Sequence, residues 1–165
     1  MKENYIQLNK DNLLRLKIKT SDGKETGEEL VFDLEDIELP LKYQEFIEQN
    51  KKNKQNLRNQ ILIIEKRQDV KGKKLLSKNE EDKIKAINEF FNKEVDVFNI
   101  FLGENGVQKL LNGRKLGWTS LQEIDDIIGN QIQPYLEKNM KDITQLVKEK
   151  YARVEDKEEQ IEVIE

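Results

Sequence analysis

Near the N-terminus the apolar positions recur every second residue. Leu14, Leu16 and Ile18 alternate with Arg15, Lys17 and Lys19, and Leu30, Phe32 and Leu34 alternate with Val31 and Asp33. A period of two places one set of side chains on each face of a strand. Ser21-Asp22-Gly23 and Gly27 supply turn chemistry between the runs, so residues 1–38 are expected to form a β-hairpin region. Two strands are marginal on their own. The hairpin must pack on helices or pair with a strand from another chain, and its open edge invites the second.

Past residue 38 the period changes to three and four. Pro40 suits the first turn of a helix. Tyr43, Phe46, Ile47, Asn50, Lys54, Leu57, Ile61 and Ile64 then form a stripe that is apolar at both ends and polar in the middle. This reads as one long helix over residues 40–67 with a poorly buried centre, or as two helices with a frayed joint at residues 51–55. Residues 69–77, with Gly72 and several lysines, read as a loop.

Ser77 or Asn79 can cap the next helix, and Ser77-x-x-Glu80 has capping-box spacing. Ile84, Ile87, Phe91, Val95, Phe98 and Phe101/Leu102 make the most regular apolar stripe in the chain, which Gly103 stops. A short helix over residues 104–111 ends at Asn112-Gly113. Thr119 or Ser120 is expected to cap a further helix, with Ser120-x-x-Glu123 as a second capping box. Leu121, Ile124, Ile127/Ile128 and Ile132 form its core face. Pro134 is expected to kink or end it. Leu136, Met140, Ile143, Leu146/Val147 and Tyr151 continue a helical stripe. The resulting fold class is mainly α: an N-terminal β-hairpin followed by a four- to five-helix bundle-like domain over residues 39–152. No internal repeat is visible, and no heptad pattern runs cleanly over three or four heptads.

Composition narrows the chemistry. The 165 residues include no cysteine and no histidine. Disulfides, thiolate chemistry and the commonest general base and metal ligand are therefore excluded, leaving only oxygen-ligand metal sites open in principle. Residues 1–12 carry no signal-peptide core, and no run of about 20 apolar residues exists, so a cytoplasmic location is expected. Charged residues make up 38% of the chain and the net charge is −4, unevenly spread. Residues 51–78 carry ten bases and two acids, or +8, which leaves −12 elsewhere. Within them Lys51, Lys52, Lys54, Arg58, Lys73 and Lys74 form a candidate electrostatic patch for an acidic partner or nucleic acid, or a solvated helix face and linker. This basic segment lacks aromatic residues for base stacking and lies in no recognised reader motif, which disfavours nucleic acid. Residues 153–165, with six acids against two bases and no core face, are expected to be a disordered acidic tail.

Motifs with catalytic resonance are weak. Gly103-Glu104-Asn105-Gly106 lacks the lysine and serine or threonine of a phosphate loop and follows a helix, so a helix stop and tight turn account for it. Asp125-Asp126 and Glu80-Glu81-Asp82 are neighbours that do not share a helix face. Asp22-Gly23-Lys24-Glu25 lacks the remaining ligands of a calcium loop. Ser77, Thr119, Ser120 and Thr144 have no histidine partner. No enzymatic activity and no cofactor are expected. Trp118, the single tryptophan, either anchors its helix to the core or contacts a partner.

The aromatic residues gather between residues 90 and 118. Phe90-Phe91 precedes Val95-Asp96 and Phe98, followed by Phe101-Leu102-Gly103-Glu104-Asn105-Gly106, Val107-Gln108-Lys109-Leu110-Leu111 and Asn112-Gly113-Arg114-Lys115. This pattern, over roughly the second half of the chain, resembles the small tail assembly chaperones of long-tailed bacteriophages and prophages of Gram-positive hosts. The extended basic stretch 51–78 departs from it. The resemblance implies a non-enzymatic protein of the host cytoplasm that is absent from the mature virion. Such a protein binds the tape-measure protein and helps recruit the tail-tube protein around it. Members of this family are often made in short and frameshifted long forms. Phe90, Phe91, Phe98, Phe101, Leu102, Leu110, Leu111 and Trp118 become the candidate partner-binding groove, or equally the hydrophobic core. Two other readings stay open: a nucleic-acid-associated factor using residues 51–78, and a structural tail component that self-assembles, possible homo-oligomer included, through the hairpin edge.

Overall fold

The computed structural model describes residues 2–162, with side chains described as far as Tyr151. The chain is mainly helical behind an N-terminal two-stranded antiparallel hairpin, as its periodicities predict. It divides into two compact units, Met1–Ser120 and Leu121–Glu165. The hairpin therefore shares a unit with the helices that follow it, so the expected boundary at residue 38 does not separate two units. Among the described residues no helix is long and apolar enough to cross a membrane.

In the first unit, β1 (Leu13–Lys19) pairs with β2 (Glu25–Asp33). The register sets Leu14 opposite Phe32 and Leu16 opposite Leu30, so the apolar sets of both strands share one face. Ile18, Leu30, Phe32 and Leu34 are buried. The Phe32 ring lies 5.2 Å from that of Phe101, which shows how a marginal two-stranded sheet is stabilised: it packs on helices.

α1 (Leu39–Glu65) is one continuous helix of 27 residues, which settles the choice between one helix and two. α2 (Lys78–Leu102) runs back along it. Contacts pair Phe46 with Phe98, Asn53 with Glu94, and Glu65 with Lys83. The centre of α1 is not poorly buried, as its polar residues imply. Asn50 and Asn53 are buried, and they face a fully buried Glu94. Asn53 Nδ2 donates to Glu94 Oε1 at 2.7 Å and to the Phe90 carbonyl at 3.2 Å. Asn50, with its amide nitrogen turned to the carboxylate, donates to Oε2 at 2.8 Å and Oε1 at 3.2 Å. The buried line of α2 is therefore Asn79, Ala86, Phe90, Glu94, Val97/Phe98 and Phe101/Leu102. The expected stripe of Ile84, Ile87, Phe91 and Val95 is displaced from it: Ile84 is 51% exposed and the other three are half-buried. α2 buries the line that carries Phe90, Phe98, Phe101 and Leu102, and Glu94, which falls on that line, meets the donors on α1 that a buried carboxylate requires.

The joint between α1 and α2 is tied by short polar side chains. Ser77 caps α2 and accepts from the Glu80 N–H at 3.2 Å. Asn79 is not a cap of α2. Its Nδ2 donates to the Ile64 and Arg67 carbonyls, each at 3.1 Å, and so closes the end of α1. Asp69 Oδ1 accepts from the Asn79 and Val70 N–H groups. The Ser77 hydroxyl, then these backbone donors and the charge of Lys83, hold the Asp69 carboxyl below its usual range.

Gly103 ends α2 with φ +90°, a conformation that side chains resist. α3 (Gly106–Leu111) starts two residues later than residue 104, after Asn105 in the left-handed region. Asn99 fastens α3 to α2: its Oδ1 accepts from Val107 N–H and its Nδ2 donates to Gln108 Oε1, both at 2.9 Å.

α4 (Trp118–Ile127) is not capped by Thr119 or Ser120. Ser120 lies inside the helix and reaches back: Gly117 N–H donates to its Oγ at 2.9 Å, and its hydroxyl donates to Gly117 O at 3.1 Å. In the second unit, Pro134 does not end the helix. A π-helical segment, Ile128–Ile132, precedes α5 (Gln133–Glu162), and the Gln133 N–H reaches Ile128 O. Widening the turn just before a residue with no N–H re-registers the hydrogen bonds, so the helix runs on. α5 continues through the acidic stretch as far as Glu162, and residues 163–165 of the expected acidic tail lie outside the described residues.

Candidate functional site

The eight candidate partner-binding residues do not form one continuous groove. Phe98 is fully buried, and Phe90, Phe101, Leu102 and Leu111 are buried with it. Phe91 and Leu110 are half-buried, and Trp118 is 55% exposed. The rings fall into two clusters separated by the Glu94 turn of α2. In one, Phe98 and Phe101 meet Phe46 at 4.9 and 6.2 Å, and Phe101 also meets Tyr43 at 5.3 Å. In the other, Phe90 and Phe91 carry Trp118. The indole lies 5.6 Å from Phe90, nearly parallel at 28°, and 4.8 Å from Phe91, edge-on at 64°.

This second cluster has an identifiable local origin. Consecutive phenylalanines on a helix point about 100° apart, so Phe90 enters the α1–α2 seam while Phe91 flanks it. Gly117 and the Ser120 bond set the first turn of α4, which brings Trp118 over both rings. One face of Trp118 anchors the helix start, and the rest of the side chain is open to solvent. Aromatic pairs at these separations each contribute roughly 0.5–1.5 kcal/mol beyond simple burial, so the exposed indole is held in place rather than loosely attached.

Lys51, Lys52, Lys54, Arg58, Lys73 and Lys74 are all exposed. The structure spreads them out. Lys51 stands 14 residues before the end of α1, about 21 Å along the helix axis, while Lys73 and Lys74 lie in the loop beyond that end. Lys51, Lys54 and Arg58 share one face of α1 by their spacing.

One feature that sequence reasoning missed is a groove of about 540 Å³ between α1 and α2. Leu57, Ala86 and Phe90 floor it and Ile63 stands at one end. Asn56, Asn59, Gln60 and Asn92 line its lips, with Glu89, Lys93 and Asp96. The signal was present in the cluster of amides on α1 and the small Ala86 opposite, but only the pairing of the helices makes a groove of them. Among the described residues no group of three or more acidic side chains is placed to hold a metal ion. Comparison with protein-family models, with curated proteins and with solved structures finds no match to this chain.

Proposed function

We propose that this chain is a non-enzymatic tail assembly chaperone that binds the tape-measure protein and helps recruit tail-tube subunits. The sequence pattern between Phe90 and Tyr151 supports this reading. The observation that carries it is Trp118: a large apolar side chain, 55% exposed, fixed on Phe90 and Phe91 at the surface of a chain that is 38% charged. Tryptophan held rigidly on an aromatic base loses little conformational entropy on binding and is a common energetic anchor of interfaces. α5 offers a second apolar surface in its own unit, where Met140, Leu146, Val147 and Tyr151 are exposed along the helix. Such a stripe matches the helix-in-groove mode of recognition that a long helical partner needs.

The test is co-expression with a phage tape-measure protein from the same genome, followed by affinity purification and size exclusion. Co-elution is expected, with the tape-measure protein aggregating when made alone. Trp118→Ala should weaken capture by about tenfold or more, the loss of a typical anchor residue, while circular dichroism stays unchanged. Phe98→Asp is not a usable probe, since Phe98 is fully buried and a charge there unfolds the core. A wild-type protein that elutes alone while the tape-measure protein precipitates would overturn the proposal.

A further inference from the structure

α5 carries an apolar face that is covered only at its start. Leu136, Met140, Ile143, Val147 and Tyr151 follow at steps of four, three, four and four, which keeps them on one side of the helix. Leu136 is buried and Ile143 half-buried, whereas Met140, Val147 and Tyr151 are exposed, with Leu146 exposed beside them. Most helical stability in proteins comes from packing an amphipathic face, and α5 past Met140 has that face without the packing.

The charges along the same helix indicate what covers it. Lys141, Lys148, Glu155 and Glu162 are spaced by seven residues, so helical spacing places them along one flank of the stripe, two bases followed by two acids. Counting every charge, residues 141–151 carry three bases and two acids, or +1, and residues 152–162 carry two bases and five acids, or −3. This order is complementary to its own reverse. A second α5 lying antiparallel brings Lys141 opposite Glu162 and Lys148 opposite Glu155, and each pair occurs twice. A parallel one sets base against base and acid against acid along the whole length.

We infer that the exposed stripe of α5 receives the α5 helix of a second copy, antiparallel, over residues 141–162, a length of about 33 Å. Both copies contribute the same patch, so the pairing is isologous and closes as a two-fold dimer. The apolar stripe supplies the attraction, and the charge order fixes direction and register. The inference goes beyond the chaperone reading and does not need it, because Trp118, which carries that reading, is not part of α5.

The experiment uses the full chain in sedimentation velocity from low micromolar to millimolar concentration, where a concentration-dependent dimer is expected. Val147→Asp should weaken it about tenfold or more. Lys148→Glu should weaken it about tenfold, and adding Glu155→Lys to the same chain should restore it, because the pair is then reversed rather than broken. Val147 and Lys148 are both exposed, so neither change disturbs the fold. Direction is read by oxidative cross-linking, which is unambiguous in a chain without cysteine. Lys141→Cys mixed with Glu162→Cys should cross-link, whereas either variant alone should not, since its own two cysteines lie about 31 Å apart in the antiparallel pair. A monomer throughout the range would overturn the inference, and if that monomer still binds the tape-measure protein the chaperone reading survives without it. A dimer indifferent to Val147→Asp, a charge reversal without rescue, or cross-linking confined to the single variants would overturn it as well.

Discussion

Replacing Asn53 by leucine tests the polar seam that joins α1 to α2. The substitution roughly conserves volume and removes both bonds made by Nδ2, to Glu94 Oε1 at 2.7 Å and to the Phe90 carbonyl at 3.2 Å. Glu94 is fully buried. Losing a donor to a buried charged group costs about 1.5–3 kcal/mol, and the neutral bond adds about 0.5–1.5 kcal/mol. The Phe90 carbonyl lies within a helix and keeps a backbone donor, so its share falls at the low end. Leucine recovers little by burial, because Asn53 is buried already and the new methyl groups would face a carboxylate. The expected net loss is about 2–4 kcal/mol. For a chain of this length that lowers the melting temperature by about 4–16 °C, at roughly 2–4 °C per kcal/mol. Urea unfolding followed by circular dichroism, together with thermal scans, reads the difference. The partner experiment is Glu94→Met alone and combined with Asn53→Leu. With the carboxylate gone, leucine packs against an apolar neighbour, so the double variant should recover at least about 1 kcal/mol relative to the sum of the singles. An Asn53→Leu protein as stable as wild type, or strictly additive effects, would refute the claim that Glu94 organises the seam.

Two further outcomes follow from the joints at either end of α2. A Cβ on Gly106 would lie 2.5 Å from Leu102 Cβ, a stiff position at the end of a packed helix. Overpacking of about 1–3 kcal/mol outweighs the helix-propensity gain of up to about 1 kcal/mol, so Gly106→Ala should unfold at lower urea concentration than wild type. At the other end, the Asp69 carboxyl is held below its usual range by the Ser77 hydroxyl and the Asn79 N–H. A depressed folded value means that this contribution is fully present above the unfolded value. It is lost as pH falls through the folded one. Wild type should therefore melt above Asp69→Asn near neutral pH, and the gap should close under acid conditions below the ordinary aspartate value; a gap independent of pH would remove the assignment.

Much of the architecture is legible along the chain because it depends on local periodicity and local caps. The hairpin alternation, the Ser77 cap, the Gly103 stop and the helical stripe past Pro134 each involve residues close in sequence. The polar part of the seam between α1 and α2 is not legible in the sequence because Asn50, Asn53 and Glu94 occupy positions where apolar residues would announce burial. Ser120 is ambiguous along the chain because a serine bonded to the start of a helix fits either the cap or a position inside the first turn. For the candidate site, the aromatic stretch was visible but its division was not: the same spacing leaves Phe98 in the core and sets Phe91 beneath an exposed Trp118.

The sequence by itself determined the secondary-structure class, the order of the elements and the absence of cysteine and histidine chemistry, because composition, periodicity and capping act over a few residues. Only the tertiary structure decided which face of α2 is buried, that the hairpin belongs with the helices after it, and that amides on α1 face a floor of Leu57, Ala86 and Phe90. Those outcomes depend on which distant groups meet. A buried carboxylate such as Glu94 is tolerated only where a distant element supplies its donors, and a groove exists only when two helices stand side by side.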